Sequence, residues 1–198
     1  MIVVDIETSG VTFADSGIVQ IGAVDFENPA RTFNMECRID PDETCMHESL
    51  ELTGLTEQEI RDEKRMSQKE LLEKFFAWCA RTTIKNFMCH NPQFDFAFLK
   101  TKAEKYDLEL PMHWRCLDLH SMACLKYMQV YGQLHTTQKR LDMGLPNILR
   151  FCGMDDPRNK HDGLEDAELT AECFSRIMYG KNLLEKYAQF EIPEYLQE

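Results

Sequence analysis

Ile2-Val3-Val4-Asp5-Ile6-Glu7-Thr8-Ser9-Gly10 is the stretch on which the reading of the fold turns. Its β-branched apolar residues predict a buried strand, and the period of two along a strand aims Asp5 and Glu7 at the same face. A buried carboxylate without a partner is costly. Two of them converging near a strand end make a hard oxygen site suited to Mg²⁺ or Mn²⁺. Thr8, Ser9 and Gly10 add hydroxyls and a flexible turn whose backbone N–H groups are free to reach a ligand.

Working outward, Ile18 to Phe26 is a second apolar run and Arg31 to Ile39 alternates loosely after Asn28-Pro29, which gives two further strands. Helical periodicity covers Leu50 to about Arg65 and Ser67 to Arg81, the latter opened by a Ser67/Glu70 capping box. Ile84 to Cys89 reads as a fourth strand and Asn91 to about Tyr106 as a helix, with Asn91 as N-cap and Pro92 in the first helical position. Trp114 to Leu119 reads as a fifth strand, followed by helix to about Tyr131, a polar loop over Gly132 to Gly144, and helices at Leu145 to Cys152 and Gly163 to about Met178. Strands first, then strands alternating with helices, imply an α/β fold on a mixed sheet of five strands.

The 198 residues fit one globular domain. Residues 1–180 are expected to form the catalytic domain, and 181–198 an acidic C-terminal tail of it, with Glu185 to Glu198 as a docking segment or a solvated end. No signal peptide or membrane span is evident. The eight cysteines include no Cys-x-x-Cys pair, so they read as reduced, mostly buried thiols of a cytoplasmic protein, without a structural zinc site.

A net charge of −12 argues against a protein that coats nucleic acid, because phosphate binding is dominated by Lys and Arg. It leaves room for an enzyme that holds one strand end, since divalent metals invert the local sign of a carboxylate-rich site. Between Lys126 and His161 the bases Lys126, Lys139, Arg140, Arg150, Arg158 and Lys160 outnumber the acids, which makes this stretch the candidate phosphate-facing surface.

Two more constellations share one layout. In His90-Asn91-Pro92-Gln93-Phe94-Asp95 and in His161-Asp162-Gly163-Leu164-Glu165-Asp166, a histidine precedes a helix cap and an aspartate follows one turn inside the helix. There the helix dipole favours the ionised carboxylate. Either histidine suits a general base by spacing alone. Each motif in isolation is also what ordinary helix starts look like; three acidic sites in one small domain are a less ordinary coincidence.

In order and separation, Asp5-Ile6-Glu7-Thr8-Ser9-Gly10, His90 to Asp95 and His161 to Ala167 resemble the DnaQ-like, or DEDDh, 3′-to-5′ exonucleases, and most of all the proofreading subunit of bacterial replicative DNA polymerase. The resemblance spans Asp5 to Ala167. It implies an RNase H-like fold, with Asp5, Glu7, Asp95, His161 and Asp166 as the catalytic set and His161 rather than His90 as the base. It also implies two Mg²⁺ (or Mn²⁺) ions held by Asp5, Glu7, Asp95 and Asp166, hydrolysis to nucleoside 5′-monophosphates, and terminal-nucleotide contacts from Thr8, Ser9, Gly10, Val11, Asn91 and Phe94, with Phe13 as a further candidate. Pro92 and Gln93 depart from the small residues usual in that motif, which leaves the placement of Asp95 open.

The expected partners are 3′ ends of single strands, DNA in preference to RNA, and a DNA polymerase or repair protein. The rival readings are a weakly active or non-catalytic polymerase or repair partner that binds 3′ ends, an exoribonuclease, and a phosphatase of the haloacid-dehalogenase kind with Asp5 as nucleophile, for which Glu7 is the wrong second acid.

Overall fold

The computed structural model describes residues 1–197; the last residue of the expected tail, Glu198, lies outside them. Strands β1 (Ile2–Thr8), β2 (Ile18–Asp25), β3 (Thr32–Glu36), β4 (Asn86–Cys89) and β5 (His113–Asp118) form one sheet in the order β3-β2-β1-β4-β5. β2 runs antiparallel to β1 and β3, whereas β4 runs parallel to β1 and β5. The sheet is therefore mixed and five-stranded, as expected.

Period-two alternation divides β1 between two cores. Ile2, Val4 and Ile6 pack with Leu71, Leu72 and Phe75 of α3 (Gln68–Cys79) and Phe98 of α4 (Pro92–Lys105). Val3 packs on the opposite face with residues of α5 (Leu119–Tyr131), α6 (Leu145–Phe151) and α7 (Gly163–Tyr179). Asp5 and Glu7 share the parity of Val3, so they face the layer that contains α7. Pairing of β1 with β4 stops at Val3↔Met88. Beyond it the two parallel strands separate at their carboxyl ends, where open α/β sheets place their ligands.

Several elements differ from expectation. The helical stretch from Leu50 is two short helices, α1 (His47–Thr53) and α2 (Glu57–Ile60), divided at Gly54, whose φ of 72° ends α1. A Thr56/Glu59 capping box restarts the chain as α2, and the Ser67/Glu70 box opens α3 as read. The polar loop contains a small hairpin, β6 (Thr136–Thr137) and β7 (Arg140–Leu141), whose turn holds Gln138 and Lys139 at φ 50° and 63°. Neither residue type announces such a turn, which normally takes Asn or Gly. Asn91 is not a side-chain cap: it sits at φ 65° and its side chain makes no capping bond. Its backbone N–H donates to Asp118 Oδ1 at 3.2 Å instead.

Two buried ion pairs fix the periphery. Lys102 of α4 pairs with Glu43 at 2.6 Å, both side chains almost wholly buried. Arg176 of α7 pairs with Glu172 at 2.8 Å and donates to the carbonyls of Cys152, Tyr187 and Phe190. With Tyr187 and Leu196 buried in the α7-side core, this binds the C-terminal segment to the body rather than leaving it a free solvated end. Cys116 is exposed and Cys45 half-buried, and the other cysteines are buried; all eight are free thiols. Among the described residues no helix is long and apolar enough to cross a membrane.

Candidate active site

The start of α7 rests directly on the sheet. A Cβ on Gly22 of β2 would overlap the Gly163 carbonyl and the Leu164 amide, and one on Gly163 would lie 2.9 Å from Gly22 N and 3.1 Å from the Asp5 carbonyl oxygen. Gln20 fixes the approach: its Oε1 accepts from Gly163 N–H and its Nε2 donates to Asp162 Oδ2, each at 3.0 Å. Asp162 caps the helix as expected, accepting from the N–H groups of Leu164 and Glu165. These contacts deliver Asp166, one turn inside α7, to the face of β1 that carries Asp5 and Glu7.

On the other side Asp95, one turn inside α4, accepts from Ile6 N–H at 3.2 Å. That amide lies beyond the last β1–β4 pair. Asp5, Glu7, Asp95 and His161 line one pocket of about 240 Å³, together with Ile6, Thr8, Val11, Ser49, Leu52, His90, Asn91 and Phe94.

The tightest group within the site is Glu7, His161 and Asp166. One donor atom from each lies within 4.8 Å of the others. His161 Nδ1 is 3.4 Å from Asp166 Oδ2 and 4.0 Å from Glu7 Oε1. Glu7 Oε1 is buried without a hydrogen-bond partner. The orphaned Glu7 carboxylate oxygen and the neighbouring Asp166 carboxylate suit a hard divalent cation, with the His161 imidazole beside them. Asp5 and Asp95 border this trio without being members of it.

The electrostatics agree. Burial raises the Asp5 pKa well above the ordinary carboxylate range, and the negative neighbours Asp95, Glu7 and Asp166 raise it further. Glu7 is pushed up to about 8 by burial, then by Asp166 and Asp162. Burial lifts Asp95 to about 7 against the hydrogen bonds from Cys89 and Ile6, and it raises Asp166 against the pull of Arg158.

The two histidines, equivalent by spacing, have different surroundings. His90 is lodged in the protein with Nε2 3.0 Å from the Met143 carbonyl oxygen, its pKa lowered chiefly by burial. His161 is half-exposed beside Glu7 and Asp166, and its backbone N–H is held by the Leu52 carbonyl at 2.8 Å.

Of the expected nucleotide contacts, Thr8, Val11, Asn91 and Phe94 line the pocket. Ser9 and Gly10 do not. The Ser9 hydroxyl donates to the Thr44 carbonyl and accepts from Gly17 N–H, and its own amide donates to Gly17 O, so Ser9 braces the turn. Thr8 Oγ1 donates to the Gly10 carbonyl at 2.7 Å. Phe13, about half exposed, meets Phe98 edge to face. Ser49, Leu52, Gln20 and Arg158 went unread in the sequence as site residues. Arg158, counted there as surface charge, turns inward onto Asp166 at 3.0 Å. Only the excess of basic residues before His161 hinted at it.

Four acidic side chains and a histidine thus converge near the carboxyl end of β1 on a mixed five-stranded sheet. A family model described as Exonuclease, of the RNase T type, matches residues 2–174, and the chain belongs to that family, whose DnaQ-like motifs it carries. The chain is 27% identical over 177 residues to the PolC-type DNA polymerase III of Thermotoga petrophila, a match covering 89% of this chain and 12% of that protein. It is 29% identical over 107 residues to the PolC-type DNA polymerase III of Streptococcus mutans, covering 54% of this chain and 7% of that one. The chain thus spans about an eighth or less of the length of these curated relatives. Among solved structures, exonuclease I of E. coli in a complex with single-stranded DNA superposes with a TM-score of 0.69 at 18% identity, over 86% of this chain and 38% of that one. The nuclease domain of 3′hExo, bound to rAMP, superposes with a TM-score of 0.67 at 16% identity, over 98% of this chain and 95% of that domain.

Proposed function

We propose that the chain is a DEDDh 3′-to-5′ exonuclease that shortens single strands to nucleoside 5′-monophosphates, DNA in preference to RNA. The observation that carries the reading is the trio of Glu7, His161 and Asp166, which includes the orphaned Glu7 Oε1. Asp5, Glu7 and Asp166 are the proposed holders of one Mg²⁺ or Mn²⁺, and Asp5 and Asp95 of a second. When bound, such ions lower the pKa of water and stabilise the charge on phosphorus and the departing 3′ oxygen.

The protein's own part is positional. Gln20 and Gly22 seat α7 so that Asp166 faces β1; Asp95 is steadied by Ile6 N–H. His161, beside Glu7 and Asp166 and open to solvent, takes the proton of the attacking water and passes it outward. The burial of His90 against Met143 supports a structural role for that residue. Val11, Phe94 and Leu52 offer an apolar wall to a terminal base.

The relatives named as DNA polymerases support DNA as substrate and a DNA polymerase or repair protein as partner. The nearly full mutual coverage with a nuclease domain bound to rAMP favours RNA as the second reading. The test is degradation of labelled DNA and RNA single strands with Mg²⁺, with EDTA, and by Asp5→Ala. Mg²⁺-dependent, Asp5-dependent shortening, faster on DNA, is expected. Faster loss of RNA selects the second reading, and no shortening of either strand sinks both.

A further inference from the structure

Arg158 is held on two sides. Its Nε and Nη2 donate to the two oxygens of Asp156 at 2.8 and 2.7 Å, and its backbone N–H donates to Asp156 Oδ1 at 3.1 Å. Such a two-pronged grip fixes the plane of the guanidinium. The remaining arm, Nη1, donates to Asp166 Oδ1 at 3.0 Å. Asp166 is thereby divided: Oδ1 belongs to Arg158, and Oδ2 faces His161 at 3.4 Å. A carboxylate can give a cation one oxygen or both, and which it does depends on what else it bonds. Although it lies on a loop, the Arg158 side chain is only 9% exposed, while Asp156 grips it from the solvent side.

The geometry points to Arg158 as a positioning residue that, gripped by Asp156, occupies Asp166 Oδ1 so that Asp166 presents only Oδ2 to a cation held by Glu7 and Asp166 beside His161. This rests on the exonuclease reading of the trio. Holding one oxygen keeps Asp166 from rotating into a two-oxygen grip, and it also places a positive charge beside the cation. Arg158 therefore trades cation affinity for a fixed site, and its removal has opposite effects on binding and on turnover.

The test pairs calorimetric titration of Mn²⁺ into the strand-free protein with steady-state hydrolysis of a single-stranded oligonucleotide. Arg158→Met is expected to bind Mn²⁺ about tenfold more tightly, since a unit charge several ångströms away no longer opposes the ion. Its kcat falls at saturating Mn²⁺ while KM for the strand stays within about twofold. Arg158→Lys keeps the charge without the fork and is expected to bind Mn²⁺ much as wild type does, with kcat still reduced. Circular dichroism melts confirm that both variants are folded; if Arg158→Met is not, the Lys variant's split between unchanged Mn²⁺ affinity and reduced kcat carries the test. Unchanged or weaker Mn²⁺ binding by folded Arg158→Met, or full kcat in Arg158→Lys, overturns the assignment. So does a loss expressed in KM alone, which would make Arg158 a phosphate ligand. If wild type itself takes up no Mn²⁺, the reading of the trio falls as well, and the two failures are thereby distinguished.

Discussion

Gly22 on β2 and Gly163 at the first position of α7 meet backbone to backbone, with no room for a side chain between them. This contact sets the distance from β1 to Asp166, because Asp166 follows one turn later on a helix already tied to Gln20. Gly22→Ala is expected to cost about 3 kcal/mol or more, the upper range for overpacking, since backbone atoms cannot rotate out of the way. Urea unfolding measures the loss. Turnover should fall further than the unfolded fraction accounts for, because α7 is displaced even in folded molecules. Wild-type stability would show that the helix start is not seated on the sheet.

Asp5, Glu7, Asp95 and Asp166 all have raised pKa values, with Glu7 near 8 and Asp95 near 7, and burial leads in each case. A carboxyl whose folded pKa exceeds its unfolded one binds its proton more tightly when folded. Its contribution to stability is complete below the unfolded pKa and is lost as pH rises through the folded pKa. In EDTA, Tm should therefore decline between about pH 5 and pH 8. Excess Mn²⁺ should raise Tm more at the upper end, where the carboxylates are ionised and bind the ion. Scanning fluorimetry across that range decides it; a Tm in EDTA that climbs with pH contradicts the electrostatics described.

The Glu43–Lys102 pair secures α4, and with it Asp95, at 2.6 Å and almost out of solvent. Glu43→Ala leaves a buried ammonium without its counterion and should cost about 3–5 kcal/mol. The double variant Glu43→Leu, Lys102→Met should recover only part of that loss, since the Asp40 amide and the buried Gln68 side chain also lose the Glu43 carboxylate. Chemical denaturation of the singles and the double gives the coupling. Additive losses would mean that the two groups do not act as a pair.

His161→Ala should lower kcat by about 10² to 10⁴, the range for loss of a general base. His90→Ala should keep kcat within about tenfold, because its ring is committed to the Met143 carbonyl. Rapid-mix turnover of both variants at saturating metal makes the comparison. Full activity without His161 and none without His90 would move the chemistry to the other loop.

The centre of the site was legible because its signals are local. Alternation in Ile2 to Glu7 aimed Asp5 and Glu7 at one face, and the Asp162 cap fixed where α7 begins and hence which turn holds Asp166. What was missed is tertiary. Asn91 has the residue type of a cap, yet its amide is taken by Asp118 from a neighbouring strand end. Ser9 looked like a ligand contact, and the Thr44 carbonyl and Gly17 amide claim it. Arg158 was one base among several until its partners Asp156 and Asp166 could be seen. The acidic C-terminal segment reads as a docking segment or a solvated end, and the buried Arg176 reveals that the Tyr187 and Phe190 carbonyls are held. Gln138 and Lys139 adopt a turn that their side chains do not advertise.

Glu7 and Asp166, with His161 beside them, are proposed to form a metal-dependent 3′ end-processing site. Its most direct measurement follows a 5′-labelled single strand under wild type and Asp166→Asn, in Mg²⁺ and in EDTA, with released nucleotides identified. Stepwise shortening from the 3′ end with nucleoside 5′-monophosphates as product is expected in Mg²⁺ only, and its loss is expected in the Asp166 variant. Shortening that persists in EDTA or in Asp166→Asn, or no shortening by wild type at all, would contradict the proposal.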